Sequence, residues 1–192
     1  MIKRPNIKFP ASIKTPTKTV TPSTPRRLVW QLKVPPRVAF FSWSTSLGKI
    51  LTTNNLCKRR IVVLDWCYMC KRCGESVDHL LLHCSLAYEL WSLVFCLSGL
   101  HWVMPLKVIE LFESWQGKFG RHHNIDFWRL VLHCLMWCIW RERNARYFEG
   151  CEWSLLENKS FFLHTLFVWS VALLHFSCFS LPLLLDHCNL GS

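Results

Sequence analysis

Acidic residues are absent from the first third of this chain. Residues 1–64 hold thirteen Lys and Arg and not one Asp or Glu, whereas residues 65–192 hold ten basic and twelve acidic side chains. An arm of one sign excludes a basic partner and favours an anionic one, nucleic acid above all, through counterion release without sequence preference. The opening MIKRPNIKFPASIK has no apolar stretch of signal-peptide type, so secretion is not expected. Eleven cysteines is an odd number and excludes full disulfide pairing within one chain. The expected setting is therefore reducing and intracellular, nuclear or cytoplasmic, where clustered cysteines mean metal, catalysis or burial. Strand signals are nearly missing as well. The one β-branched run, RRIVVLDW at 59–66, is short and reads as an extended lead-in to the cysteine-rich stretch that begins at Cys67.

At 192 residues, with 51% apolar and 14% aromatic side chains, there is material for one ordinary core. Leu and Phe dominate it, which favours helix over strand. A mainly α fold is expected. Pro36 can open a helix carrying Val38, Phe41 and Thr45 on one face, with Phe40 and Trp43 widening it and Gly48 stopping it. Thr52 or Thr53 can cap a short helix ending in Lys58, Arg59 and Arg60. Further helices are expected in LAYELWSLVFCLSGL closed by Gly99, in PLKVIELFESW opened by Pro105, and in the long pattern from Asn124 to Gly150.

The stretch CYMCKRCGESVDHLLLHC at 67–84 packs four cysteines and two histidines together. Zinc prefers four tetrahedral thiolate or imidazole ligands, two of them commonly from a C-x2-C turn. Cys67 and Cys70 form such a turn, and His79 and Cys84 complete C-x2-C-x8-H-x4-C. Gly74 eases the reversal between the halves, and Ser76 can cap the helix beyond it. On an unbroken α-helix, positions five apart diverge by roughly 140°, so His79 and Cys84 can share a metal only if the helix ends or bends between them. His83 shares the face of His79, and Cys70 and Cys73 form a second C-x2-C. Spacing alone thus leaves six candidates for four places. A thioredoxin-type redox pair would need surrounding βαβ units, which are lacking.

Together, VWQLKVPPRVAFFSW, LTTNNL and CYMC…GESVDHLLLHCSLAYELW strongly resemble the reverse transcriptase zinc-binding domain of plant non-LTR (LINE-type) retrotransposons. The matching positions include Trp30, Lys33, Pro35, Pro36, Phe41, Trp43, Cys67, Cys70, Glu75, Ser76, His79, Cys84 and Trp91. MWCIWRERNARYFEG resembles the stretch that commonly comes next, so the likeness runs over about 28–150. It implies a small irregular zinc knot between short helices, Zn2+ held by Cys67, Cys70, His79 and Cys84, and nucleic acid, RNA or DNA, as partner. The family often has Pro after the last cysteine, where this chain has Ser85. Polymerase chemistry needs paired carboxylates for two metal ions, yet Asp65, Asp78, Asp126 and Asp186 stand singly. No enzymatic activity is expected. The candidate phosphate contacts are Lys33, Arg37, Lys58, Arg59, Arg60, Lys71 and Arg72.

The chain divides into four segments: a disordered, basic, Pro/Thr-rich leader at 1–27, the zinc-binding domain at 28–98, a helical extension at 99–160 and a hydrophobic tail at 161–192. A transit peptide is the rival reading of the leader, although its five prolines would interrupt an amphipathic helix. Residues 161–185 carry no charged side chain and are long enough to span a bilayer. Two alternatives to a nucleic-acid-binding module therefore stand beside it. One is a tail-anchored membrane protein with a structural Cys/His staple; the other is a decayed reading frame without function.

Overall fold

The first helix, α1, runs Pro36–Ser46 and starts where a proline costs nothing: Pro36 occupies the first turn, whose N–H groups have no partner in the helix. The structure is a computed structural model that describes residues 33–99, 101–119 and 124–175. The leader at 1–27 lies outside them. Val38, Phe41 and Thr45 are buried on the expected face, joined by Ala39 and Ser42. Phe40, expected to widen that face, is instead 60% exposed. Gly48 takes φ +65° just past the helix end, a left-handed conformation that costs a residue without Cβ little.

Five further α-helices occur among the described residues: α2 (Thr53–Lys58), α3 (Ser85–Ser98), α4 (Val108–Phe119), α5 (Ile125–Asn144) and α6 (Leu155–Leu174). Two π-helical turns interrupt them, His79–His83 before α3 and Ala145–Glu149 after α5. No strand occurs among the described residues, and the 59–66 run is an irregular, mostly exposed loop. The architecture is thus mainly α, as expected. Pro105 lies three residues before α4 rather than in it. The first N–H of α4, that of Val108, donates to Asp78 Oδ1 at 2.8 Å, so a residue of the Cys/His segment starts this helix.

α5 is the axis of the fold. Apolar side chains surround it on all sides, as expected of a helix buried in a core, and thirteen of its residues are buried. It packs against α6 most extensively and also against α1, α3 and both π turns. One continuous core runs from Phe41 to Leu166 and crosses the 98/99 boundary without a break. Inside it two buried indoles donate to backbone carbonyls: Trp91 Nε1 to that of Leu81 at 2.9 Å and Trp115 Nε1 to that of Trp128 at 2.8 Å. Ser42 of α1 and His133 of α5 meet through a 2.7 Å hydrogen bond, both fully enclosed.

The hydrophobic tail begins inside this core. α6 opens with a capping box in which Ser154 and Glu157 serve each other's backbone N–H. It then buries a single stripe, Asn158, Phe162, Leu166 and Ser170. Among the described residues no helix is long and apolar enough to cross a membrane. The remainder of the 161–185 run, from 176 onwards, lies outside the described residues.

Candidate metal centre

Cys67 and Cys70 sit on a tight turn that closes when the Lys71 N–H donates to the Cys67 carbonyl at 2.8 Å and the Cys67 N–H to that of Cys73 at 2.6 Å. Lys71 takes φ +55° to make the reversal, an unusual conformation for a residue with a side chain. The turn aims backbone donors at the sulfurs. Met69 and Cys70 N–H groups serve Cys67 Sγ, and the Arg72 N–H serves Cys70 Sγ. Such donors stabilise negative charge on sulfur.

The second pair of donors comes from one wide turn. Ser76 Oγ accepts the His79 N–H at 3.0 Å and caps the segment. Residues His79–His83 are then π-helical, and the Cys84 N–H donates to the His79 carbonyl at 2.6 Å, five residues back. A π turn takes up the extra residue that would swing Cys84 away on an α-helix. Cys84 then leaves the turn extended, at φ −62° and ψ 141°, as the N-cap of α3. The bend needed between His79 and Cys84 is therefore present without a proline at position 85.

One donor atom each from Cys67, Cys70, His79 and Cys84 lies within 4.8 Å of every other. Cys67 and Cys84 sulfurs are 3.9 Å apart, and Cys70 Sγ is 3.4 Å from His79 Nε2. With Zn–S near 2.3 Å and Zn–N near 2.0 Å, tetrahedral edges come to about 3.8 Å between sulfurs and about 3.5 Å between sulfur and nitrogen. The donor set thus fits a metal ion of zinc's size and preferences. The electrostatics agree. The Cys67 thiol donates to Cys84 and so holds its thiol down to about 4, while Cys67 itself is pushed well up by that same contact and by burial. His79 is raised chiefly by hydrogen bonding to Cys84. Two buried sulfurs this close do not both ionise readily unless a cation lies between them.

The competitors separate by direction. His83 is exposed and points its Nε2 at the Leu106 carbonyl, 3.1 Å away. Cys73 stays close, 3.9 Å from Cys70 Sγ and 3.4 Å from His79 Nε2, but on the solvent side and outside the mutual cluster.

A layer that the spacing did not announce holds the knot in place. Glu75 is fully buried. Its carboxylate takes the Thr53 N–H at 3.2 Å, the Tyr68 N–H at 3.2 Å and the Arg143 guanidinium at 2.9 Å from Nε. It therefore ties α2, the cysteine turn and α5 together. Arg143 lies among the rings of Tyr68, Trp140 and Tyr147, the last at 4.7 Å. Arg146 donates to the Met69 carbonyl inside the turn at 3.0 Å and to Glu142 at 2.6 Å. Lys71 pairs with Glu152. The sequence hinted at it only through Glu75 in the motif and a run of charges, WRERNAR, at the end of an otherwise apolar helix.

Of the candidate phosphate contacts, Arg37, Lys58, Arg59, Arg60 and Arg72 are exposed and make no ion pair among the described residues. Lys58–Arg60 lie at the end of α2, roughly 9 Å along a helix whose start rests on Glu75. Lys33 pairs with Asp126 at 3.7 Å, and Lys71 is held by Glu152.

Residues 12–91 match the family model for zinc-binding in reverse transcriptase, and all four clustered donors fall within that segment. No curated protein and no solved structure matches the chain.

Proposed function

We propose that this chain is a zinc-stabilised, nucleic-acid-binding module of retroelement origin, without polymerase chemistry of its own. The observation that carries the reading is the convergence of Cys67, Cys70, His79 and Cys84 inside a segment similar to the zinc-binding region of reverse transcriptases. In this role the four side chains hold one Zn2+. Bound zinc contributes folding free energy, on the order of 10 kcal/mol in small structural sites. The ion fixes the cysteine turn against the start of α3. α5 fixes the same turn from the other side through Arg143, and the π turn after it does so through Arg146. The working unit then comprises both the 28–98 segment and the 99–160 extension.

Nucleic acid is met by the unpaired cations, with Lys58, Arg59, Arg60 and Arg72 around the knot and Arg37 on α1 contributing most. Lys33 and Lys71 contribute less, because each has a carboxylate to release first. The test is fluorescence anisotropy of the zinc-loaded chain with a single-stranded RNA across a salt series. Affinity should fall steeply with salt. Converting Arg59 and Arg60 together to Ala should lower the log–log slope by about 1.4, at about 0.7 for each single-strand phosphate no longer neutralised. An affinity indifferent to salt would refute the reading.

A further inference from the structure

Away from the knot, between α5, the 145–149 turn and α6, the structure holds a cavity of about 330 Å³. This is within the size range of small-molecule sites. Its walls are half-buried aromatic rings: Trp137 and Trp140 from α5, Trp153 from the connection and Phe161 from α6. Phe41 of α1 backs the first two, at 5.5 Å and 5.7 Å between ring centroids. Trp153 packs edge-on to Phe161 at 5.1 Å. The Trp153 backbone is pinned at both ends, its N–H on Glu142 at 3.0 Å and its carbonyl under Arg146 at 3.2 Å. The walls are therefore set before anything binds.

One buried polar atom here lacks a partner. Glu142 lines the cavity and is 3% exposed. Its Oε1 serves Arg146 and Trp153, while Oε2 has no hydrogen-bond partner among the described residues. That oxygen has almost no accessible surface, so Glu142 shapes the wall without offering an acceptor to what fills the cavity. Charge does not select a cation, because Arg146 already offsets Glu142, and at the mouth the exposed Arg141 and Glu149 offset each other. The Arg141 guanidinium lies 4.6 Å from the Phe161 ring centre, where it can meet a phosphate attached to whatever fills the cavity. The fitting ligand is neutral, planar and aromatic.

We infer that this cavity takes an unpaired nucleobase, stacked on the tryptophans with its phosphate met by Arg141. The inference rests on the nucleic-acid reading and gives it a second contact, whose stacking is independent of phosphate charge. Stacking is tolerant of sequence and is lost with the ring.

The test uses the zinc-loaded full chain, tryptophan emission, and guanosine and uridine monophosphates as probes. It is paired with anisotropy on a short single-stranded RNA and on its abasic counterpart. Ala145→Leu fills the cavity from its edge without touching the knot, and Trp153→Ala removes a wall; zinc content and urea midpoint establish that both variants fold. Both monophosphates should quench emission saturably. Either variant should weaken RNA binding about tenfold with its salt slope unchanged, as should removal of the bases. RNA bound with its normal salt slope, and equally by wild type, by both variants and in abasic form, would overturn the cavity assignment and leave the phosphate-contact reading standing. Complete lack of RNA binding would remove that reading and this inference with it. Quenching by tetramethylammonium or free arginine, with none by guanosine monophosphate, would overturn it in favour of a cationic ligand.

Discussion

Removing Arg143 alone should unfold the knot far more readily than removing any surface charge. The Arg143–Glu75 pair is fully enclosed, with side chains 1% and 0% exposed. Breaking such a pair leaves a buried charge behind and typically costs about 3–5 kcal/mol. Two features set where in that range Arg143→Met should fall. Glu75 keeps two backbone donors, Thr53 and Tyr68, which softens the loss. The guanidinium also gives up its place over the rings of Tyr147, Trp140 and Tyr68, a contribution of about 0.5–2 kcal/mol. The expected loss is about 3–4 kcal/mol, read as the urea midpoint at fixed excess zinc. Glu75→Gln removes the stranded charge, so the double variant should recover more than about 1 kcal/mol of the summed single losses. The half-exposed Lys159–Glu89 pair, at 3.1 Å, is the control and should show about 0–1 kcal/mol. A loss below about 1 kcal/mol for Arg143→Met, with no coupling in the cycle, would refute the hold of α5 on the cysteine turn.

Ser85→Pro should be accepted and should stabilise by about 0.4–1 kcal/mol, since position 85 is the exposed first residue of α3 and Cys84 before it already has the extended backbone that a proline at 85 requires. A lower urea midpoint for the variant would count against the geometry of the π turn. His133 predicts acid sensitivity of a definite sign. Its enclosure first, and Arg129 second, depress it to about 3 from an ordinary 6.5. The folded form stays neutral while the unfolded form takes a proton, so this stabilisation is whole above pH 6.5 and is lost as pH falls towards 3. At about 1.4 kcal/mol per pH unit, wild type should lose about 2 kcal/mol more than His133→Gln between pH 7 and pH 5. Acid also displaces metal in this window, so only the difference between the two proteins is informative, and equal losses would exclude His133 as a source.

Helices and their ends were largely legible in the sequence, because periodicity, Pro36 and the glycines at 48, 99 and 150 act locally. The π turn was not. HLLLH reads as one more turn of α-helix, and only the Cys84 N–H reaching five residues back to His79 shows that it is wider. Spacing narrowed the candidate donors to six without dividing them. His83 was separated by a carbonyl 23 residues away, and Cys73 by its outward position. Glu75 stood in a recognisable motif, but its partner Arg143 lies 68 residues on. A long-range ion pair of that kind leaves no period for a sequence reader to find. Phe40 misled because its neighbours on either side are buried while it looks outward.

The assignment of Cys67, Cys70, His79 and Cys84 as a zinc site stands or falls on the metal content of the purified chain, measured beside Cys84→Ser, Cys73→Ser and His83→Ala. One zinc per wild-type chain is expected, kept by Cys73→Ser and by His83→Ala and lost or greatly weakened in Cys84→Ser. A folded wild-type chain without metal, or full zinc retention by Cys84→Ser, would contradict the assignment.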